Sequence, residues 1–323
     1  MNFKKLLFYF FKPFVPRFLQ IFIRRQIIRR KRIQYSSIWP VNEQACSIPV
    51  NWKGWQEGKQ FALILQHDVD TQRGHDNCRR LMDIEEKFGM RSTFYLVPER
   101  YRVSQPLIDE IKQRGFGIGV HGLKHDGKLF LSYNTFKTNA EKINGYLRIW
   151  NTSGFSSPSM ISRLDWMHHL EIDYSTSTFD TDPFEPQPEP VNTIFPFVVK
   201  NTDESNGFVE LPYTLPQDFT LFILMQEKNI SIWKRKTEWI AEHGGMALVN
   251  THPDYMNFSN KKCSREQYPV DYYKDFILHV QADYKDLFWH VLSEEMAVFF
   301  KTGQYNFGSL PSLTILRKNK CLE

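Results

Sequence analysis

The sequence predicts an α/β protein built from parallel βα units, arranged either as a barrel or as an open sheet. Two observations support this fold class. Apolar, strand-like runs alternate with charged, helix-like stretches from about residue 45 to about residue 305. Polar and acidic side chains directly follow several of those runs, which is where the functional groups of parallel sheets gather.

The predicted elements follow one another in a regular order along the chain. They are FALILQ (61–66), NCRRLMDIEEKFG (77–89), STFYLV (92–97), PLIDEIKQRG (106–115), FGIGV (116–120), RKTEWIAEHGG (235–245) and MALVN (246–250). We expect each apolar run to be a buried strand and each charged stretch to be a helix packed on the sheet.

Composition indicates one large folded domain with a separate basic head. Apolar residues make up 41% and aromatic residues 15% of the 323, which is enough for a substantial core. Residues 1–34 hold ten of the 41 Lys and Arg and no Asp or Glu. The rest of the chain therefore carries 31 basic against 36 acidic residues, so the formal net charge of +5 comes from the head.

We assign residues 1–44 to a membrane-surface segment, 45–305 to the catalytic domain and 306–323 to a C-terminal tail. Lys12, Pro13 and Pro16 interrupt the first apolar run and no small-residue cleavage site follows, so secretion is not expected. No run is long enough to span a bilayer. A basic segment rich in Phe and Ile favours an anionic membrane surface, and we expect a cytoplasmic protein peripheral to the inner face of the membrane.

An alternative remains for this head, because its apolar positions form no clean helical stripe. It could instead be a basic arm docked on its own domain or on nucleic acid. Nucleic acid is not an expected partner of the domain itself, because the loops expected around its cleft are acidic.

Three strand ends carry residues suited to chemistry. Asp68 and Asp70 follow FALILQ, His121 follows FGIGV and His252 follows MALVN. His121 and His125 are four residues apart in GVHGLKHDG, a spacing that suits a divalent metal. Gly122 excludes the H-E-x-x-H pattern. Since two histidines need a third protein ligand, a carboxylate of the opening cluster would complete a site with open positions for water and substrate.

The ordered motifs resemble those of NodB-type polysaccharide deacetylases, family 4 of the carbohydrate esterases. They are D-x-D at 68–70, H-x-x-x-H at 121–125, F-x-x-P-S at 155–159, D-x-D at 180–182 and L-x-x-x-H at 248–252, within a resemblance that covers roughly residues 55–300. The resemblance implies a distorted (β/α) barrel with fewer than eight strands and a divalent metal, for which we expect zinc. It also implies hydrolysis of the N-acetyl group of an amino sugar, in a glycan or glycan precursor made for a surface polysaccharide.

The resemblance also assigns roles to individual residues. Asp68 takes the place of the general base, and the general acid is His252. Either Asp180 or Asp182 would orient that acid, and we favour Asp182. The metal ligands would be Asp70, His121 and His125, and the turn near Ser159 would supply an oxyanion donor. Substrate contacts are expected from Ser159, Tyr213 and Asp180, with Asp218 as a further candidate.

One position departs from the family pattern. Ser156 stands where the family carries an Arg that pairs with the base, so Asp68 loses a charged partner. Arg73 and Arg163 are candidates to replace it. His67, which precedes Asp68, is either a packed, hydrogen-bonded side chain or a cleft residue.

Two other functions remain open. A non-catalytic carbohydrate-binding or regulatory protein could use the same fold with a site weakened at Ser156. A metal-free hydrolase of the allantoinase-like branch is the other, and the intact Asp70, His121 and His125 argue against it.

Overall fold

A single curled sheet of nine strands organises the protein in a computed structural model that describes residues 15–50, 52–185, 187, 189–201, 207–259 and 261–302. Two further short strands pair with each other. The strands are β1 Phe61–Val69, β2 Thr93–Leu96, β3 Gly117–His121, β4 Gly154–Ser156, β5 Tyr174–Ser175, β6 Phe197–Val199, β7 Phe208–Glu210, β8 Met246–Thr251, β9 Met256–Asn257, β10 Tyr268–Pro269 and β11 Phe288–His290.

Helices cover the outside of this sheet. The α-helices are α1 Arg17–Gln34, α2 Gln72–Lys87, α3 Gln105–Gln113, α4 Tyr133–Ile149, α5 Ser231–Glu242, α6 Asp271–Asp283 and α7 Ser293–Thr302, and a short π-helix spans Phe219–Leu224. None of the helices in the described part of the chain is both long and apolar enough to cross a membrane.

The strand pairing is parallel throughout the large sheet except at β6. β1 lies between β8 on one side and β2 on the other, and β2 to β5 and then β7 follow in order. Beyond β7, the backbone N–H groups of Thr214 and Leu215 donate to the Leu248 carbonyl of β8, at 3.3 and 3.1 Å. The sheet therefore curls round toward itself, which confirms the predicted distorted (β/α) barrel. The expectation of fewer than eight strands is wrong, because short strands such as β6 and β11 extend the sheet to nine.

The core explains why the apolar runs became strands. All nine residues of β1 and all six of β8 are buried, as expected for strands covered on both faces. The amphipathic helices turn their apolar sides to the sheet, for example Leu81 and Met82 of α2. The four predicted strands and the three predicted helices all occur, with bounds shifted by a few residues. Because every large-sheet pair but one is parallel, the carboxyl ends of β1, β3, β4 and β8 meet at one edge.

The basic head is docked on the domain over its described part. Helix α1 buries Ile21 and Ile28, and the Arg25 Nε donates to the Ile223 carbonyl at 2.9 Å. The docked arrangement considered for this segment is therefore present over residues 15–34, and contact of the same segment with a membrane stays a prediction. Residues 1–14 of the head and the tail 306–323 lie outside the described residues.

Candidate active site

The carboxyl ends of the strands open into one large cleft. Its volume is about 1360 Å³, and the motif residues Asp68, Asp70, His121, His125 and His252 all line it. The parallel register of the sheet brings these residues together from positions up to 184 apart in the chain. The sequence prediction that the strand ends share one site is therefore confirmed in placement.

Asp70, His121 and His125 form a compact ligand set. One ligand atom of each lies within 4.8 Å of the other two. The Asp70 Oδ1 is 3.0 Å from the His125 Nε2 and 3.5 Å from the His121 Nε2. This carboxylate oxygen is buried and has no hydrogen-bond partner in the described part of the chain. A buried carboxylate oxygen facing two imidazole nitrogens is the donor set that a divalent metal requires, so the residues fit such an ion.

The backbone around β3 aims both imidazoles at Asp70. The His121 Nδ1 lies 3.2 Å from the Ser156 carbonyl, which directs the Nε2 toward Asp70. Gly122 then takes a φ of 60°, and a Cβ at this position would lie 2.7 Å from the Pro158 ring. Only glycine fits this turn, which carries the chain round so that His125 returns to the same point.

Charge within the ligand set favours ionised Asp70. Burial alone would raise the pKa of Asp70, but His125 and His121 outweigh it and hold that pKa well below its usual range. Burial likewise disfavours the charged form of His121, whereas Asp68 and Asp70 raise its pKa overall. The carboxylate is thus ready to bind a cation.

Asp68 is held by neutral donors in place of the missing arginine. The Asn250 Nδ2 and the Tyr213 hydroxyl donate to its Oδ2, at 2.9 and 3.0 Å. The Ser156 hydroxyl donates to its Oδ1 at 3.2 Å, and the Gln66 Nε2 lies 3.5 Å away. Ser156 therefore does replace the family arginine as a hydrogen-bond donor, although it brings no charge. Hydrogen bonds from neutral donors, with no charged partner, therefore fix the rotamer of the Asp68 carboxylate.

Neither candidate arginine replaces that charge. Among the described residues, no hydrogen bond or ion pair joins Arg73 or Arg163 to Asp68, and Arg163 instead lies over the Trp166 ring. His67 is completely buried. Its Nδ1 lies 2.8 Å from the Thr251 hydroxyl and its Nε2 lies 2.8 Å from the Glu85 carboxylate. Of the two interpretations of His67, the packed, hydrogen-bonded side chain is the correct one.

His252 has a carboxylate partner, and that partner is Asp218. The His252 Nδ1 lies 2.7 Å from the Asp218 Oδ1, and the His252 backbone N–H donates to the Oδ2 at 2.8 Å. The Tyr268 hydroxyl and the Phe219 N–H also donate to Asp218, which is completely buried. Burial lowers the pKa of His252, but Asp218 outweighs burial and raises that pKa to about 10. The imidazole is therefore suited to donate a proton.

The expectation that Asp182 orients His252 is wrong. The Asp182 Oδ1 accepts from the Phe184 N–H at 2.8 Å, and its Oδ2 has no hydrogen-bond partner among the described residues. Asp180 is also absent from the cleft wall, because it forms a buried ion pair with Lys236 at 2.6 Å. Asp180 is thus held against Lys236 of α5, and neither Asp180 nor Asp182 lines the cleft.

The substrate contacts expected from sequence are only partly placed at the cleft. Ser159 lies on its wall, in a turn with a φ of 58°. Tyr213 does not line it. This side chain lies buried beneath Asp68 and acts on the carboxylate, because β7 runs on toward β8 inside the barrel. The prediction that Tyr213 contacts the substrate is therefore wrong.

Sequence reasoning missed Asp254. This carboxylate accepts from the Asp70 N–H at 3.0 Å and from the Thr71 hydroxyl, and so fixes the loop that presents Asp70. Burial and Asp70 raise its pKa to about 6. A side chain at Gly74 would strike it, since a Cβ there would lie 2.2 Å from its Oδ2. The only sequence signal was its position two residues after His252.

Comparison with known proteins agrees with this site. Residues 57–154 match the sequence model of the family described as Polysaccharide deacetylase. The matched segment includes Asp68 and the metal-ligand set, whereas Asp218 and His252 lie beyond it. No curated protein matches the sequence significantly.

Solved structures share the fold at low sequence identity. A structure assigned as a polysaccharide deacetylase from Mycobacterium smegmatis is 17% identical, with a TM-score of 0.58 over 80% of this chain and 94% of its own. One assigned likewise from Pseudomonas aeruginosa is 13% identical, with a TM-score of 0.58 over 77% and 94%. The Puue allantoinase is also 13% identical, with a TM-score of 0.58 over 78% and 94%.

The fold and the motifs together show what this protein is similar to. Residues 57–154 resemble the polysaccharide deacetylase family, and the chain shares its fold with solved structures assigned to that family. The resemblance stated from the motifs is thereby confirmed.

Proposed function

We propose that this protein is a metal-dependent hydrolase that removes an N-acetyl group from an amino sugar of a glycan or glycan precursor, in the biosynthesis of a surface polysaccharide. One observation carries the proposal. A metal-ligand set, a separate carboxylate and a carboxylate-paired imidazole line the same cleft. A protein that only bound its ligand would have no use for all three.

Amide hydrolysis needs an activated water, a polarised carbonyl and a proton for the departing nitrogen. A divalent ion held by Asp70, His121 and His125 would supply the polarisation and the lowered pKa of a bound water. Asp68 accepts the proton of the attacking water, since its carboxylate lines the cleft and four neutral donors hold it in place. His252, kept protonated by Asp218, delivers a proton to the amine nitrogen. We propose zinc as the ion, because imidazole and carboxylate ligands suit it.

We also propose that the protein lies on the cytoplasmic face of the membrane through residues 1–34. The support is helix α1, whose outer side exposes apolar and basic residues together. Exposed Phe18, Phe22 and Ile33 lie on this side with exposed Arg29 and Arg30. Phe and Ile insertion together with Lys and Arg attraction is the pattern of a helix lying on an anionic surface.

Acetate release by the full-length, metal-loaded protein tests the enzymatic proposal. We expect release from N-acetylhexosamine substrates, and we expect His125→Ala to lose most bound metal and all release, because two protein ligands hold a catalytic ion poorly. His169→Ala, which removes an exposed histidine outside the cleft, is the matched control and should keep both. Glycan binding without release by the loaded protein would favour the non-catalytic alternative, for which Ser156 is the supporting feature.

A further inference from the structure

The cleft has a cationic wall that the proposed chemistry does not use. Six Lys and Arg side chains line it in addition to the catalytic set: Arg17, Arg24, Arg73, Arg100, Lys128 and Arg265. Deacetylation of a neutral glycan needs none of them. Their concentration is unexpected, because the chain beyond residue 34 has more acidic than basic residues.

The acidic residues on the same wall are fewer than its cations. Apart from Asp68, Asp70 and Asp254 at the catalytic centre, the cleft is lined by Asp126, Glu185 and Glu266, half as many acids as cations. Glu266 is paired with Arg17 at 3.0 Å. Burial and Asp182 raise the pKa of Glu185 to about 8, so this carboxyl carries little charge at neutral pH. The wall is therefore an anion-attracting surface.

Two of the six cations belong to the helix that also carries the exposed apolar side. These are Arg17 and Arg24, and the neutral Gln20 lines the cleft beside them. Around the helix, Gln20 and Arg24 lie between a buried edge and an exposed apolar edge. The buried edge holds Ile21 and Ile28, and the exposed edge holds Ile23 and Ile27. The cleft-lining edge of α1 is thus adjacent to its outward apolar edge. A membrane against the outer side of α1 would lie at the mouth of the cleft.

A row of ring contacts joins this edge to the catalytic imidazole. The Tyr255 ring lies 5.3 Å from the His252 ring and 4.8 Å from the Phe219 ring. The guanidinium of Arg24 lies over Phe219 at 4.9 Å, and that of Arg17 at 5.6 Å. Only two aromatic rings therefore separate the proton donor from the arginines of α1. One small, extended substrate could touch both.

From these contacts, and resting on the proposed deacetylase function, we infer that the substrate is an N-acetylated amino sugar joined through a phosphate or diphosphate to a lipid anchored in the membrane. The sugar would lie at the ligand set and at His252. Its phosphate linkage would meet Arg24 and Arg17, because guanidinium groups bind phosphate in bidentate fashion. The lipid would stay in the bilayer beneath the outer side of α1.

Three N-acetylglucosamine probes test the substrate class with the full-length, metal-loaded protein. They are an N-acetylchitooligosaccharide, UDP-N-acetylglucosamine, and N-acetylglucosaminyl diphosphate on a polyprenol in phosphatidylcholine vesicles. Acetate release gives kcat/KM for each, and sedimentation with the vesicles gives binding independently of turnover. We expect the lipid-linked probe to exceed the neutral oligosaccharide by about tenfold or more, as a charge-assisted contact would provide. It should also exceed the UDP-linked probe, which carries the same diphosphate, because only the lipid holds its sugar at the vesicle surface beside α1.

Arg24→Gln tests the anion contact. It should lower kcat/KM for the lipid-linked probe about tenfold more than for the neutral oligosaccharide. Arg24→Lys should recover part of the difference, because it restores the charge without the bidentate geometry. Arg80→Gln removes the same charge from an exposed position of α2 that lies outside both the cleft and α1, and it should leave the ratio between the two probes unchanged.

The outcomes separate this inference from the proposed function. Equal turnover of the neutral and the lipid-linked probes overturns the inference while the deacetylase function stands. Equal turnover of the UDP-linked and lipid-linked probes overturns the lipid anchor. If no probe releases acetate but vesicle binding still requires Arg24, the deacetylase function fails and the anionic lipid ligand is supported.

Discussion

Replacing Asp218 by Asn tests the pairing that makes His252 a proton donor. Asn keeps the size of the side chain and one carbonyl oxygen, but it removes the negative charge 2.7 Å from the His252 Nδ1. The substitution touches none of the three metal ligands. We therefore expect bound metal to remain while the protonation of the imidazole changes.

The size of the effect follows from the pKa of His252. Burial lowers that pKa, and Asp218 is the largest of the groups that overcome burial and raise it to about 10. Without this charge, burial pulls the pKa down from about 10 toward the ordinary value of histidine, while Asp70 and Asp68 still raise it. The imidazole is protonated at pH 8 in the native protein, and a larger fraction of it is neutral in the variant. General acid catalysis contributes roughly 10²–10⁴-fold, so we expect a loss of up to about 10²-fold at that pH.

The assay is the pH dependence of acetate release by metal-loaded protein, from about pH 6 to about pH 10. The alkaline limb should move to lower pH in Asp218→Asn, because the acid loses its proton earlier. The charge pairing also stabilises the folded state. This stabilisation is fully present below pH 6.5 and is lost as the pH rises through about 10, so the variant should be less stable than the native protein at neutral pH. Tyr268→Phe removes one hydrogen bond to Asp218 without removing its charge, and it should shift the limb much less.

A double variant decides whether Asp218 acts through His252. In a His252→Ala background, Asp218→Asn should cost little further activity, since residues that act as a unit are not additive. If the two losses multiply, or if the alkaline limb of Asp218→Asn does not move, the assignment of the acid is refuted.

Three other variants test separate parts of the structure. Asp70→Asn should lose bound metal and acetate release together, whereas Asp68→Asn should keep the metal and lose release by about 10²-fold or more. Metal analysis and the acetate assay measure both effects. Metal retention in Asp70→Asn would contradict the ligand set. Glu185 has a pKa of about 8 against an ordinary 4.5, so the folded state holds its proton more tightly than the unfolded state and loses stability as the pH rises from 4.5 to 8. The free energy of unfolding of Glu185→Gln, measured against pH, should lack this loss. An unchanged slope would contradict the raised pKa. Phe18→Ser should weaken binding to anionic vesicles at unchanged metal content. Leu278→Ser changes an exposed apolar residue on α6 and should not weaken this binding. Equal binding by both variants would argue against the membrane role of α1.

The basic head shows one limit of sequence reasoning. Its apolar positions form no single stripe because α1 uses two faces, with Ile21 and Ile28 against the domain and Phe18 and Phe22 outward. A helix with apolar residues on both its packed and its exposed side shows no single apolar stripe. Periodicity alone therefore cannot distinguish such a helix from a segment with no helical pattern. The docked arm and the membrane-surface helix looked like alternatives from sequence. In the structure one side of α1 is docked on the domain, and the proposed membrane contact would use the other side.

The sequence by itself determined the parallel βα order and the pairing of His121 with His125, and the family resemblance added Asp70 as the third candidate ligand. Strand runs and a four-residue histidine spacing are local patterns, and parallel strands bring their carboxyl ends to one edge wherever they occur. Tertiary structure alone decided which carboxylate serves His252, because Asp182 and Asp218 both lie in loops far from it in sequence. It also decided what replaces the arginine at Ser156. Asn250 reaches Asp68 because β8 pairs with β1, and Tyr213 reaches it because the sheet curls and brings the chain after β7 beside β8. Contacts made by such long-range pairing leave no mark in a local sequence pattern.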